Sequence, residues 1–156
     1  MKFILSYWKL LLVFVAPIFI LSSCSKDDDD DLQNTNEFVT YNIAGQSGTF
    51  TAPADSVITY RQGNETFISA SLRAGNNSSV FISLEGAAAP GNYSARECGI
   101  GLINDYYFQG PTPTMINITA YGAVGGYITG SYSGTLRKSA DNTPAAVSGT
   151  FRIRRR

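Results

Sequence analysis

The chain of 156 residues has no histidine, and cysteine occurs only at positions 24 and 98. Without histidine, neither a Ser-His-Asp nor a Cys-His arrangement can form, and zinc sites of the usual kind lose their main ligand. The alternating Asp/Asn spacing of a calcium loop is also missing. We therefore expect no cofactor and no metal site.

One route to catalysis remains open, because a pair of carboxylates can cleave polysaccharides without histidine. Glu97 and Asp105 are the acids that lie in the densest polar and aromatic segment. The acidic residues after position 38 lie mostly in predicted turns or at strand ends, where acidic side chains are common because they increase solubility. We expect a protein that is not an enzyme and keep a carboxylate-dependent hydrolase as the alternative.

A long apolar run occurs once, at Leu10–Ile20, behind the basic residues Lys2 and Lys9. Eleven residues are too few for a comfortable membrane span, which needs about 20, but they suit the core of a secretory signal. An uncleaved anchor helix over Phe3–Leu21 is the simpler alternative. The pattern favours a cleaved leader over residues 1–23.

The end of this leader, Leu21-Ser22-Ser23-Cys24, resembles the bacterial lipobox. The resemblance implies that a diacylglyceryl group is attached to the Cys24 thiol before cleavage, and two or three acyl chains together hold a protein firmly to a membrane. Cys98 would then be the single remaining thiol, and we expect it to be buried and inert.

An acidic run follows the cysteine: Lys26, Asp27, Asp28, Asp29, Asp30 and Asp31. In the simplest interpretation it is a solvated spacer whose like charges favour extension. Fully stretched, Ser25–Glu37 spans about 45 Å. The run also resembles the surface-export signal of lipoproteins in Bacteroidota, which implies an outer-membrane location, with the protein exposed at the cell surface. Residues 24–37 are therefore a predicted disordered tether.

Residues 38–156 form the predicted folded part, which is rich in Thr, Ser, Val, Ile, Phe and Tyr. Apolar residues alternate with polar ones, turn signals separate them, and no period of 3.6 is sustained. We expect an all-β fold, an antiparallel β-sandwich of about eight or nine short strands, with a squat β-barrel as the alternative.

Matching the apolar faces of neighbouring strands predicts three strand pairings. The pairing of Leu136 with Val147 sets Tyr132 against Phe151, so that two aromatic rings face each other beside glycines. Phe67 and Phe81 point away from the predicted core, either into a second small cluster, which we favour, or into an exposed patch. The predicted partners are Ile43 with Gly48, Leu72 with Val80, and Leu136 with Val147.

Four arginines are massed at the end of the chain, at positions 152, 154, 155 and 156. No aromatic stacking ladder accompanies them, so we expect no nucleic-acid partner. They form a solubilising strand end in the simplest interpretation, and contact with lipopolysaccharide phosphate is a variant of it.

The segment from Tyr93 to Phe108 is the predicted binding surface, because tyrosines at loop ends stack on sugars or anchor protein partners. Tyrosines at strand ends also simply straddle core and water. The residues predicted to bind are Tyr93, Arg96, Asp105, Tyr106 and Tyr107.

Several segments resemble small uncharacterised β-domain surface lipoproteins of Bacteroidota: YNIAGQSGTFTA, TFISASL, FISLEG followed by PGNYSA, and YITGSYSGTL with VSGTFRIR. The resemblance implies a lipoprotein anchored through Cys24 and carrying a β-domain, and it brings no catalytic residues. Asp55-Ser56-Val57 is similar to the O-glycosylation site of that phylum. We expect a non-catalytic binding or assembly module for a glycan or protein partner.

Overall fold

The computed structural model describes residues 36–73, 78–103 and 105–156. Asn36–Arg156 forms one compact unit. The predicted lipidation site Cys24 and the predicted export signal, Lys26 with Asp27–Asp31, lie outside the described residues. Among the residues described, no helix is long and apolar enough to cross a membrane.

The domain is all-β and antiparallel, as the alternating sequence predicts. Its described residues form ten strands, slightly more than the eight or nine expected. The strands are β1 Phe38–Ile43, β2 Gln46–Thr51, β3 Ser56–Gln62, β4 Glu65–Ser71, β5 Ser79–Glu85, β6 Gly91–Gly101, β7 Tyr106–Gln109, β8 Met115–Tyr121, β9 Tyr127–Lys138 and β10 Pro144–Arg154.

These strands form one hydrogen-bonded sheet in the order β2-β1-β10-β9-β7-β6-β5-β4-β3, and β8 pairs with both β6 and β9. The sheet folds over on itself in a sandwich-like manner. Its two end strands, β2 and β3, therefore approach each other. The Arg156 guanidinium donates to the Val57 carbonyl oxygen of β3 at 3.1 Å. It also pairs with Glu37, directly before β1, at 2.9 Å.

The core lies inside the folded sheet and is built from alternate residues of the strands. In β4, for example, Thr66, Ile68 and Ala70 are buried, while the residues between them are half-exposed. The same alternation holds in β8, where Ile116 and Ile118 point inward. Since successive side chains of a strand point to opposite faces, each strand contributes one row to the core and one to the outer surface.

The register of the first hairpin differs from the expected one by two residues. The sequence pattern suggested a four-residue turn after Ile43, but Ile43 faces Gln46 and Val39 faces Phe50. The two residues between the strands, Ala44 and Gly45, have φ of 50° and 78°. Two consecutive positive φ values are typical of the tight hairpin turn whose twist matches the strands.

The other two predicted registers are also wrong by two residues. Val80 faces Ala70 rather than Leu72, and Val147 faces Gly134 rather than Leu136. A shift by two residues leaves every side chain on its predicted face, because the strand period is two. The pattern of inward and outward side chains therefore could not distinguish the expected register from the observed one.

The shift in the last hairpin changes what the aromatic rings meet. Tyr132 lies opposite Gly149, and Phe151 lies opposite Gly130. Each ring occupies the space above a glycine instead of facing the other ring, which lets both bulky side chains fit into a curved sheet.

Candidate functional site

The outer face of strands β3 to β7 carries aromatic side chains, which we call the aromatic strip. Tyr60 and Phe67 stack with ring centroids 4.7 Å apart and an interplanar angle of 12°. The ring centroids of Phe67 and Phe81 are 6.0 Å apart, with an interplanar angle of 35°. Tyr60 remains 42 % exposed. The members of the strip are Tyr60, Phe67, Phe81, Tyr106 and Phe108.

The two interpretations of Phe67 and Phe81 in the sequence are thus combined in the structure. Both rings are half-buried and cluster with Tyr60, as we favoured. The cluster lies on the outside of the sheet, however, and its Tyr60 end is open to solvent.

A groove of ≈ 380 Å³ continues the strip across β6 and β7. Phe81 lies opposite Gly99 on β6, and Gly99 lies opposite Phe108 on β7. Since Gly99 has no side chain, the backbone forms the floor, and the Tyr106 hydroxyl lies above it. Tyr106 is 54 % exposed. The groove has a volume typical of small-ligand sites, although it is shallow and open.

Charged groups border the groove at an irregularity in β6. Ser83 pairs with Glu97 but Leu84 pairs with Ala95, so Arg96 is an extra residue. Such bulges redirect side chains and are common beside binding sites. Arg96 forms a salt bridge with Glu65, while Glu97 is exposed at the groove.

The side-chain amide of Gln109 holds this bulge in place. Its Nε2 donates to the carbonyl oxygens of Ala95 and Arg96 at 3.2 and 2.9 Å. These are carbonyls of the irregular segment. Gln109 therefore positions Arg96 and Glu97 relative to the rings of the groove.

The structure brings together only part of the predicted binding surface. Arg96 and Tyr106 line the groove. Asp105 lines a different depression, with Tyr41 and Ser78, and its carboxylate pairs with Lys138 at 2.7 Å. This contact raises the pKa of Lys138 above its usual value.

The two other predicted binding residues do not present their rings at the groove. Tyr107 is a core residue, 3 % exposed. It alternates with Tyr106 and therefore points inward. The Tyr93 ring packs against the core beside Gly91, and its hydroxyl donates to the Ala89 carbonyl oxygen at 2.9 Å.

Glu97 and Asp105, the acids of the hydrolase alternative, do not form a carboxylate pair. Glu97 borders the aromatic groove, whereas Asp105 is paired with a lysine and borders the other depression. Over the residues described, no group of three or more His, Cys, Asp or Glu side chains is placed to hold a metal ion.

Cys98 lies beneath the groove and is buried, as the sequence analysis expected. Burial raises the pKa of its thiol to about 11. A thiol with so high a pKa is almost entirely protonated at neutral pH, and the protonated form is a poor nucleophile.

Ser56, the O-glycosylation site that the resemblance implies, is the first residue of β3 and is half-buried. The preceding Asp55 accepts a hydrogen bond from the Thr51 backbone N–H at 2.9 Å. The hydroxyl therefore lies at the end of a tight connection between β2 and β3.

Sequence reasoning missed Tyr60, Phe67 and Phe81 as candidate binding residues. A signal was present, because the alternation placed Phe67 and Phe81 outward among serines. Tyr60 lies in a segment for which the sequence predicted no strand partner. Only the pairing of Tyr60 with Phe67 puts the three rings in one row.

Comparisons with known proteins supply no further guide, since the chain matches no protein-family model, no curated protein and no solved structure.

Proposed function

We propose that this protein is a lipid-anchored lipoprotein of the bacterial outer membrane, exposed at the cell surface, whose β-domain is a non-catalytic module that binds glycans on the aromatic strip. The observation that carries the binding role is the outward row of Tyr60, Phe67 and Phe81, continued by the groove. The location is supported by the lipobox-like sequence at Cys24 and the acidic run after it.

The strip offers the two kinds of contact that a sugar ring requires. Aromatic faces pack against the apolar C–H face of a pyranose. Tyr60 and Phe67 are stacked nearly parallel, and Tyr60 is 42 % exposed, so its solvent-facing side is accessible to a sugar ring. Hydroxyl groups at the edge of the sugar need donors and acceptors. Arg96 and Glu97 supply these donors and acceptors at the groove, which is open to solvent.

A partner protein would also use exposed aromatic anchors, but it usually buries them in a broad interface with an apolar centre. Here the rings form a row beside Ser69, with Arg96 and Glu97 at the groove, and Ile58, opposite Ser69, adds one exposed aliphatic side chain. An extended, polar ligand fits this shape better, and we therefore favour a glycan chain.

The location is tested by mass spectrometry of protein purified from a bacterial lipoprotein-processing host. We expect a mature chain that begins at Cys24 and carries acyl groups, and we expect Cys24→Ala to remain uncleaved and unacylated. Wild-type material with a free Cys24 thiol and an intact leader would refute the lipid anchor.

The binding role is tested by affinity electrophoresis of the mature chain on a panel of soluble polysaccharides. We expect at least one polysaccharide to retard it. Tyr60→Ala with Phe81→Ala should weaken binding by at least about 30-fold, since each lost anchor costs more than about 1 kcal/mol. Met115→Ala, which removes an exposed apolar side chain from β8, is the matched control and should bind normally.

Two results would contradict this proposal. Polysaccharide binding that survives in the folded double variant would place the site elsewhere. Degradation of the bound polysaccharide, abolished by Glu97→Gln, would indicate the hydrolase alternative instead.

A further inference from the structure

The loop between β8 and β9 carries an exposed apolar tip on a rigid base. Val124 at this tip is 72 % exposed. Arg155 fixes the loop: its backbone N–H donates to Gly126 at 2.7 Å, its carbonyl accepts from Gly125 at 2.8 Å, and its guanidinium donates to Gly122 at 3.0 Å. The tip is therefore held outward by the end of the chain.

Arginines and tyrosines surround this loop. The Arg152 guanidinium lies 4.0 Å from the centroid of the Tyr127 ring, and that of Arg154 lies 5.6 Å from it. Arg155 lies 4.9 Å from the Tyr121 ring. We call the loop residues 121–127 together with Arg152, Arg154, Arg155 and Arg156 the basic corner.

The start of the folded domain lies at the same corner. Glu37, directly before β1, accepts a hydrogen bond from the Arg154 backbone N–H at 3.1 Å and pairs with Arg156. Any anchor on Cys24 is therefore joined to the domain beside the basic corner. Ile103, another exposed apolar tip, borders a depression shared with Gln46, beyond the opposite end of β1.

We propose that the basic corner contacts the headgroup region of an anionic lipid bilayer. Val124 inserts at the boundary with the acyl chains, Tyr127 lies at the headgroup level, and the exposed guanidinium of Arg154 contacts lipid phosphates. Each arginine near such a surface contributes about 1 kcal/mol. The inference rests on the envelope location proposed above, and it adds which face of the domain meets the membrane.

Vesicle co-sedimentation of the mature chain carrying Cys24→Ser tests this contact without the anchor. Vesicles contain either phosphatidylcholine alone or phosphatidylcholine with 30 mol% phosphatidylglycerol, a fraction set at about a third to give a clear surface potential. We expect stronger binding to the anionic vesicles. Arg154→Gln should weaken it about five-fold, and Val124→Asp by more than about ten-fold.

Arg61→Gln and Ile103→Asp are matched controls, because they change equally exposed groups outside the corner. Asp27–Asp31 is present in every variant, so its repulsion from the vesicles cancels in the comparison. Equal binding to both vesicle types, or an equal loss in the controls, would overturn the proposal. Because the chain is not acylated, this outcome is independent of whether Cys24 is lipidated or the strip binds glycans.

Discussion

Gly149→Ala is expected to lower the free energy of unfolding by about 3 kcal/mol, although it adds a single methyl group. A Cβ at this position would collide with the Thr40 carbonyl oxygen and would lie 2.5 Å from the Tyr132 ring. The carbonyl belongs to the backbone of β1, so it cannot rotate away as a flexible side chain would. The sheet itself must shift to admit the methyl group.

Urea unfolding followed by circular dichroism measures this effect. Tryptophan fluorescence is unsuitable because the single tryptophan, Trp8, lies in the predicted leader. Gly110→Ala is the matched control, since its nearest neighbours would be 3.5 Å from the new Cβ and its backbone is unstrained. We expect it to change stability by less than about 0.5 kcal/mol. Equal stability of the two variants would show that the strands do not approach this closely.

Tyr132→Ala is expected to destabilise the domain by about 3 to 5 kcal/mol, the range for removing a large buried side chain. The Tyr132 ring is among the largest fully buried side chains and covers the bare backbone at Gly149. Its hydroxyl donates to the Thr40 carbonyl oxygen at 2.7 Å and so links β9 to β1 across β10. Burial raises the pKa of the phenol, which keeps this donor protonated.

Tyr132→Phe separates the hydroxyl from the ring. We expect it to lose about 1 to 2 kcal/mol, because the Thr40 carbonyl loses a donor while the packing remains. Tyr106→Ala, which removes an exposed tyrosine, should lose about 1 kcal/mol or less. If Tyr132→Ala were no more harmful than Tyr106→Ala in the same urea experiment, the ring could not be part of the core.

Much of the fold could be predicted because its main signal is local. Alternation along single strands identified the inward residues of the C-terminal hairpin, including Tyr132 and Phe151, and both are buried. These assignments depend only on the two-residue period of a strand.

The candidate site could be predicted less well, because it depends on contacts between strands that are distant in sequence. Arg96 and Tyr106 were identified and line the groove, but Tyr107 proved to be a core residue. A run of adjacent tyrosines in a strand necessarily alternates between surface and core. Tyr60 became a candidate only when β3 was seen beside β4.

The amino-acid sequence alone determined that the described domain is all-β and antiparallel, which faces of the strands in the predicted hairpins are buried, and that histidine-based chemistry is excluded. The tertiary structure decided the registers and therefore which glycine lies under which ring, and which aromatic residues form one row. The physical reason is that side-chain direction repeats every two residues along one strand, so a pairing shifted by two satisfies the same pattern. Only turn geometry and the close packing of a ring over Gly149 or Gly130 distinguish one register from the next.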